Sequence, residues 1–371
     1  MTYLRKTVRV FLAPILILAF AGLAAAQTCE VPPPGMVAWW PGDGNANDIA
    51  GTNHGALNGD ATASVQGQVG QAFNFPGGAL DYVRVPNHAS LEPAAVTVDA
   101  WVRGNAPIGS SRYIVAKGAS GGTAASYAFY TSGGGLAFYI FNGSGYELSP
   151  NAGDGVWDGN WHHIAGTYDA EVVRLYVDGG EIGTGTATTI GIGYSLPTDN
   201  DLIIGQYTGT ISLPFKGEVD EVEVFGRALK LGEISGIYAA GDIGKCKLKV
   251  NIDIKPGNSL NTINQGSAGV IPVAILSSLT FTATNVDPLT IDLNGATVKL
   301  IGKKGLPFCN PKDVNGDGLD DLYCQVYSYD FLVEPGATNA VLKAKAYDPN
   351  TSLWVWVYGE DSVNIVPNIV P

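Results

Sequence analysis

The sequence predicts an all-β chain built as two successive sandwiches, and three observations carry that reading. Between Trp157 and Gly179 two strand-like runs flank a short turn, and Val173, Leu175 and Val177 alternate with Arg174 and Tyr176. That is the period of a strand with one face buried and one wet. The 371 residues include 49 Gly and 21 Pro but only 15% charged side chains, a turn-rich β composition and not a disordered one. Helical periodicity is confined to Leu229 through Ala239, where Leu231, Ile234 and Ile237 are spaced for one face.

The chain begins with Arg5, Lys6 and Arg9, then an apolar run over 11–20, then Ala24-Ala25-Ala26 before Gln27. These are the three parts of a secretory signal peptide over residues 1–26, so the mature protein is expected to be secreted, extracellular or periplasmic. The apolar run is too short for a membrane span, so none is expected after cleavage; an uncleaved anchor is the alternative. Gln27-Thr28 before Cys29 lacks the small apolar residues of a lipoprotein signal, so no lipid anchor is expected. Cleavage removes three positive charges and no acid, taking the formal charge from −13 to −16. A chain this acidic, without a basic patch, is not built for nucleic acid.

The glycines and tyrosines of 120–146 (Tyr127, Tyr130, Tyr139, Tyr146) read as hairpin strands with loose tips. Residues 157–168 and 172–177 form the next pair, with a turn at Asp169-Ala170-Glu171. Asp178-Gly179 supplies the positive backbone angles of a two-residue hairpin into Glu181-Ile182-Gly183. Such a meander needs a second sheet over its apolar face.

The runs Trp161-His162-His163-Ile164-Ala165 and Leu175-Tyr176-Val177-Asp178-Gly179 resemble the signature of LamG-like jelly-roll domains, in the concanavalin A-like lectin and glucanase superfamily. Gln71–Phe75 with Asp81–Pro86 and Val96–Val102 resembles the first half of such a domain; Phe215–Val222 with Arg227-Ala228-Leu229 and Glu233-Ile234 resembles its end. The resemblance covers about residues 35 to 241 and implies a jelly-roll sandwich, with non-catalytic binding of a glycan or another surface or matrix component.

It also implies the main alternative. Retaining glucanases of this superfamily carry Glu, Asp and Glu on one strand, which places a nucleophile and an acid about 5 Å apart across the sugar. Glu218, Asp220 and Glu223 can be laid on that pattern. Strict alternation puts Glu218 and Asp220 on one face and Glu223 on the other, so a bulge is required to bring the three together. Glu221 replaces an apolar residue of the pattern, and the strand runs straight into Phe225-Gly226-Arg227-Ala228-Leu229, as non-catalytic domains end. The expectation is a non-enzyme, with a glycoside hydrolase or lyase, or a protein-binding structural component, as alternatives.

From Lys247 the texture changes. The boundary is placed at 241–245, giving a jelly-roll domain over 27–246 and a smaller β-sandwich over 247–371. Residues 249–254 alternate, 269–276 form an apolar run suited to a strand buried on both sides, and further strands are expected at 297–301, 322–327, 341–347 and 353–358. Residues 252–257 and 269–276 resemble a C-terminal module of exported bacterial proteins without established activity. The four cysteines permit three pairings. A sandwich that brings its ends together pairs Cys29 with Cys246, which leaves Cys309 with Cys324 around an acidic loop.

That loop is Asp313-Val314-Asn315-Gly316-Asp317-Gly318-Leu319-Asp320-Asp321. Oxygen-bearing side chains at alternate positions with Gly at position six match the first nine places of a calcium loop. Asp313, Asn315, Asp317 and Asp321, with the Leu319 carbonyl, are the expected ligands. Position twelve is Cys324 and not a bidentate Glu, so the loop resembles the structural calcium loops of dockerin-like and thrombospondin-type repeats; a metal-free Asn/Asp/Gly turn is the alternative. A second calcium is expected between Asp48, in the loop 43–55, and Asp220. His162 and His163 are adjacent, so on a strand they face opposite ways and cannot chelate together. Trp39, Trp40, Trp101, Trp157 and Trp161 are either core or sugar-stacking rings.

Overall fold

The computed structural model describes residues 29–366, apart from 107, 110, 123, 266, 334–335 and 350–352. The expected signal peptide lies outside the described residues. No described helix is long and apolar enough to cross a membrane.

Seven strands build the principal sheet: β1 (Met36–Trp40), β2 (Thr62–Gln66), β3 (Gln71–Phe75), β4 (Val96–Arg103), β5 (His162–Tyr168), β6 (Val172–Val177) and β7 (Gly217–Phe225). They run in the order β6-β5-β4-β7-β3-β2. The short strands Gly180–Glu181 and Thr186–Ala187 add to β6, and β1 pairs with the C-terminal half of β7. An antiparallel second sheet faces it, running from Tyr146–Leu148 through Gly135–Phe141, Tyr127–Ser132, Tyr113–Ala119, Asp199–Ile204 and Tyr82–Val85 to Ala56–Asn58. Val98, Ala100 and Val102 of β4, Val173 and Leu175 of β6, and Val219, Val222 and Val224 of β7 meet Val115, Phe129, Phe138 and Ile140 of the second sheet in one core. Gly166 on β5 marks how closely the layers approach: a Cβ there would lie 2.2 Å from Cγ of Phe138. Overpacking of that kind costs about 1–3 kcal/mol.

The expected hairpin is present. Asp178 and Gly179 adopt φ of 50° and 75° between β6 and the next strand, the left-handed pair a tight hairpin needs. The outer face of the sheet is less wet than alternation suggested. The helix α1 (Leu231–Ala239) lies over it, and Ile234 and Ile237 pack with Ala165, Tyr176, Phe225 and Leu229. Leu231, expected on the buried face, is 50% exposed because it opens the helix at the solvent edge. Cys29 and Cys246 form a disulfide just beyond the two ends of this sandwich, and Glu30 bridges Lys245 beside it.

From Leu248 the chain builds further sheets around a separate core. One holds Leu248–Lys249, Leu353–Ser362, Asn339–Asp348, Asp292–Leu293 and Ala296–Thr297; another holds Ile252–Ile254, Val270–Ile275, Asp321–Tyr327 and Cys309–Lys312. Ile254, Val273, Ile275 and Val326 of one meet Leu293, Leu342, Ala344 and Val357 of the other. The expected run 249–254 is divided between the two sheets, and 297–301 is split into Ala296–Thr297 and Leu300–Ile301. In a small sandwich a strand changes layers by breaking its ladder.

Candidate functional site

The acidic strand β7 contains the bulge that the carboxylate pattern required. Its pairing with β4 slips between Asp220, opposite Trp101, and Glu223, opposite Asp99, and Glu221 takes a φ of 53°. One extra residue restores Val222 and Val224 to the core and turns Glu223 to the outer side, with Asp220. The slip falls where β7 exchanges β3 for β1 as its neighbour.

What covers these carboxylates decides their chemistry. Asp220, Glu221 and Glu223 are at most 1% exposed. Lys245 Nζ lies 2.6 Å from Glu223 and 3.9 Å from Glu221. Lys247 Nζ lies 2.8 Å from Glu221 and 2.5 Å from Asp43, and the Trp39 indole N–H donates to Glu221 at 3.0 Å. His163, fully buried, reaches Asp99 at 3.2 Å and meets Trp101 edge-on, and the Trp101 ring also packs on Tyr238 of α1. Burial raises the Glu223 carboxyl well above the usual range, helped by the Asp99 charge and opposed by Lys245. Burial, then the Glu221 charge, does the same to Asp220. Burial alone would lower both lysines, but the surrounding carboxylates hold both pKa values above the usual range. Five acids, Asp43, Asp99, Asp220, Glu221 and Glu223, surround these two ammonium groups, and the excess of negative charge favours the neutral forms of Glu223 and Asp220.

Glu218 is placed differently. It pairs with the Arg103 side chain, and both line an open cleft of about 650 Å³ at the end of the sandwich. The cleft is formed where β3, β4 and β7 meet Gly104, Asn105, Ile108, Arg112 and Pro214, and it presents Asn74, Asn105, Arg112 and Lys216. Arg103 also sits over the Trp161 ring, 4.7 Å from its centroid. Of the five candidate tryptophans, Trp39, Trp40, Trp101 and Trp157 are at most 4% exposed, and Trp161 alone is half-buried at this rim. In the 120–146 region Tyr127 is core and Tyr139 is covered by neighbouring tyrosines, while Tyr146 is 60% exposed. His162 bonds Asp178 at 2.8 Å and Asp158 at 3.2 Å, partners separate from those of His163. Burial lowers its pKa, but these two acids outweigh that and raise it.

The other candidate acids are held by backbone amides. Asp48 accepts from the N–H groups of Trp39, Ala50, Gly51 and Asn53, each at 2.9 Å, whereas Asp220 accepts from Val69 at 2.8 Å; the two share no partner. The loop Asp313–Asp321 is the connection of a hairpin whose strands carry Cys309 opposite Cys324, joined by a disulfide. Asp313 accepts from Gly316 and Gly318, Asn315 from Asp317, Asp317 from Leu319, and the buried Asp321 from Ser277 and Val314. The donor set is all oxygen, which suits calcium, but among the described residues no three His, Cys, Asp or Glu side chains gather into a metal-holding group.

Sequence reasoning missed the rim cleft and the two lysines. Arg103, Asn105 and Arg112 follow one another at the end of β4, but Asn74 and Lys216 come from distant segments, and no spacing links the three stretches. Lys245 and Lys247, flanking Cys246 just after an acidic strand, are the one local signal that could have pointed to the buried cluster.

Residues 77–235 match the model of the concanavalin A-like lectin/glucanases superfamily. No curated protein sequence matches the chain. Among solved structures, domain 4 of AbnA, a GH43 extracellular arabinanase from Geobacillus stearothermophilus in complex with arabinotriose, superposes with a TM-score of 0.42 at 15% identity, over 56% of this chain and 98% of that domain. Trypanosoma rangeli sialidase gives 0.43 at 18% identity over 58% of this chain and 36% of its own, so the chain spans about a third of that enzyme. The receptor-binding domain of botulinum neurotoxin C/D mosaic serotype gives 0.43 at 12% identity, over 89% of this chain and 93% of that chain.

Proposed function

We propose that this is an exported, non-catalytic glycan-binding protein whose jelly-roll domain, residues 27–246, takes saccharide in the rim cleft, with residues 247–371 as a supporting β domain. One observation carries the reading: among the described residues, Glu218, already paired with Arg103, is the single carboxylate lining the cleft. Two-carboxylate hydrolysis needs a second acid across the scissile bond, and the partner the pattern offers, Glu223, is sealed beneath Lys245. Binding needs less. Amides at Asn74 and Asn105 suit the hydroxyls of a sugar ring. The superfamily match agrees with this choice without deciding it.

The test is incubation of residues 27–371 with a panel of insoluble polysaccharides, scoring retention and sugar release together. Retention without release is expected. Release that disappears in Glu218→Gln would overturn the reading in favour of an enzyme. We also propose that the loop Asp313–Asp321 takes calcium, with Asp313, Asn315, Asp317, Asp321 and the Leu319 carbonyl as ligands. Calcium binding the folded state alone at about 100 times its Kd adds about 2.7 kcal/mol. Melting should therefore shift upward with calcium in the parent and not in Asp313→Ala.

A further inference from the structure

We infer that the rim cleft selects saccharides carrying an anionic group, a carboxylate or a sulfate; this rests on the glycan-binding reading above. The argument is a local reversal of charge. The chain carries a formal charge of −13, yet the cleft is lined by Arg103, Arg112 and Lys216 against the single acid Glu218. Glu218 is paired with Arg103, and Asp158, on the loop that brings Gly159 to the cleft, is engaged by Asn160 and His162. Among the described residues, Arg112 and Lys216 have no carboxylate within ion-pair distance. Two uncompensated cations on one cleft of an acidic protein set a field that draws an anion inward and disfavours its neighbours on the surface.

The two cations also differ in what they offer. Arg112 is half-buried, its guanidinium beside Gly109, and a planar fork suits the two oxygens of a carboxylate or sulfate. Lys216 is exposed, with its stem along Gly77 and its ammonium able to swing over the opening. The unpartnered amides of Asn74 and Asn105 stand at the same cleft and are suited to the neutral hydroxyls of the ring. A ligand with one acidic group and several hydroxyls meets each of these in turn; a neutral sugar leaves both cations unused.

The experiment is affinity electrophoresis and calorimetry of residues 27–371 against a matched panel: a polyuronate, a sulfated glycan, the carboxyl-reduced form of the polyuronate, and a neutral glucan. Variants are Arg112→Gln, Lys216→Gln and the double substitution, all on the surface, with Lys303→Gln as a charge-matched control elsewhere. We expect at least ten-fold tighter binding to one anionic glycan than to its neutral counterpart. That preference should weaken with salt and be lost in the double variant but kept in Lys303→Gln. The uronate and sulfate arms separate the two sources of charge. Retention of the neutral glucan as tightly as the anionic ones overturns the charge selection while leaving glycan binding standing. An anionic preference that survives the double variant places the charge reading elsewhere and also overturns it. No retention of any glycan removes the underlying reading together with this one.

Discussion

The protein holds two groups of acids that look alike in the sequence and are handled in opposite ways. On β7, Asp220, Glu221 and Glu223 are buried, with Trp39 and two lysines against Glu221 and Glu223. In the loop 313–321, Asp313 and Asp317 stay exposed and spend their oxygens on neighbouring amides. In the sheet, burial removes water, so a carboxylate needs an opposite charge, a donated hydrogen bond or a proton. In the loop, water and oriented N–H groups suffice. Density of acids in a sequence therefore says little about a site until the cover over them is known.

Four measurements would break or sharpen this contrast. The largest effect is expected from Lys245→Met, which strands Glu223 and Glu221. Losing one partner of a buried pair costs about 3–5 kcal/mol, to be read as a lowered midpoint in urea unfolding. Lys249→Met, which removes an exposed pair with Glu360, should cost less than about 1 kcal/mol. Equal losses in the two variants would mean that the buried lysine contributes nothing special.

Asp321→Ala comes next. This carboxylate is fully buried and serves the amides of Ser277 and Val314, and leaving buried donors unpaired costs about 1–3 kcal/mol. The same change at exposed Asp317 should stay within about 0.5 kcal/mol in metal-free buffer. If Asp317→Ala proved as damaging as Asp321→Ala without metal, the loop would be held by more than solvent and its own amides.

The pH dependence follows, and its sign is set by the raised carboxyls. Folded Glu223 and Asp220 keep protons that the unfolded chain releases above about pH 4. Their contribution is complete below that pH and is lost as pH rises through their folded values. Stability of the parent should therefore fall as pH rises above the usual carboxylate range, and Glu223→Gln should flatten the slope. An unchanged slope, followed by denaturant unfolding, would place the titration on other groups. The smallest effect is expected at the rim: Arg112→Gln should move stability by less than about 0.5 kcal/mol, since among the described residues the side chain has no ion-pair partner to lose.

Much of the architecture was legible because it is written in short-range pattern. Alternation over 172–177, the Asp178-Gly179 turn and the apolar run near 270–275 each fix strand and register locally, and each formed where expected. Both disulfides also matched the expected pairing, since closing a sandwich brings its ends together. The pattern failed where a second element covers a face: Tyr176 sits at a polar position of β6 but is buried under α1.

What the sequence determined by itself was the sandwich, the disulfides and the requirement that Glu218, Asp220 and Glu223 share a face only through a bulge. What the tertiary structure decided was the outcome of that bulge. It is present, yet Lys245 and Lys247 arrive from beyond α1 to close over Glu221 and Glu223, while Glu218 alone opens on a cleft assembled from separate parts of the chain. Local pattern encodes which way a side chain points along its own strand. Whether water, a lysine or a ligand meets it depends on segments distant in sequence, and no period or spacing records them.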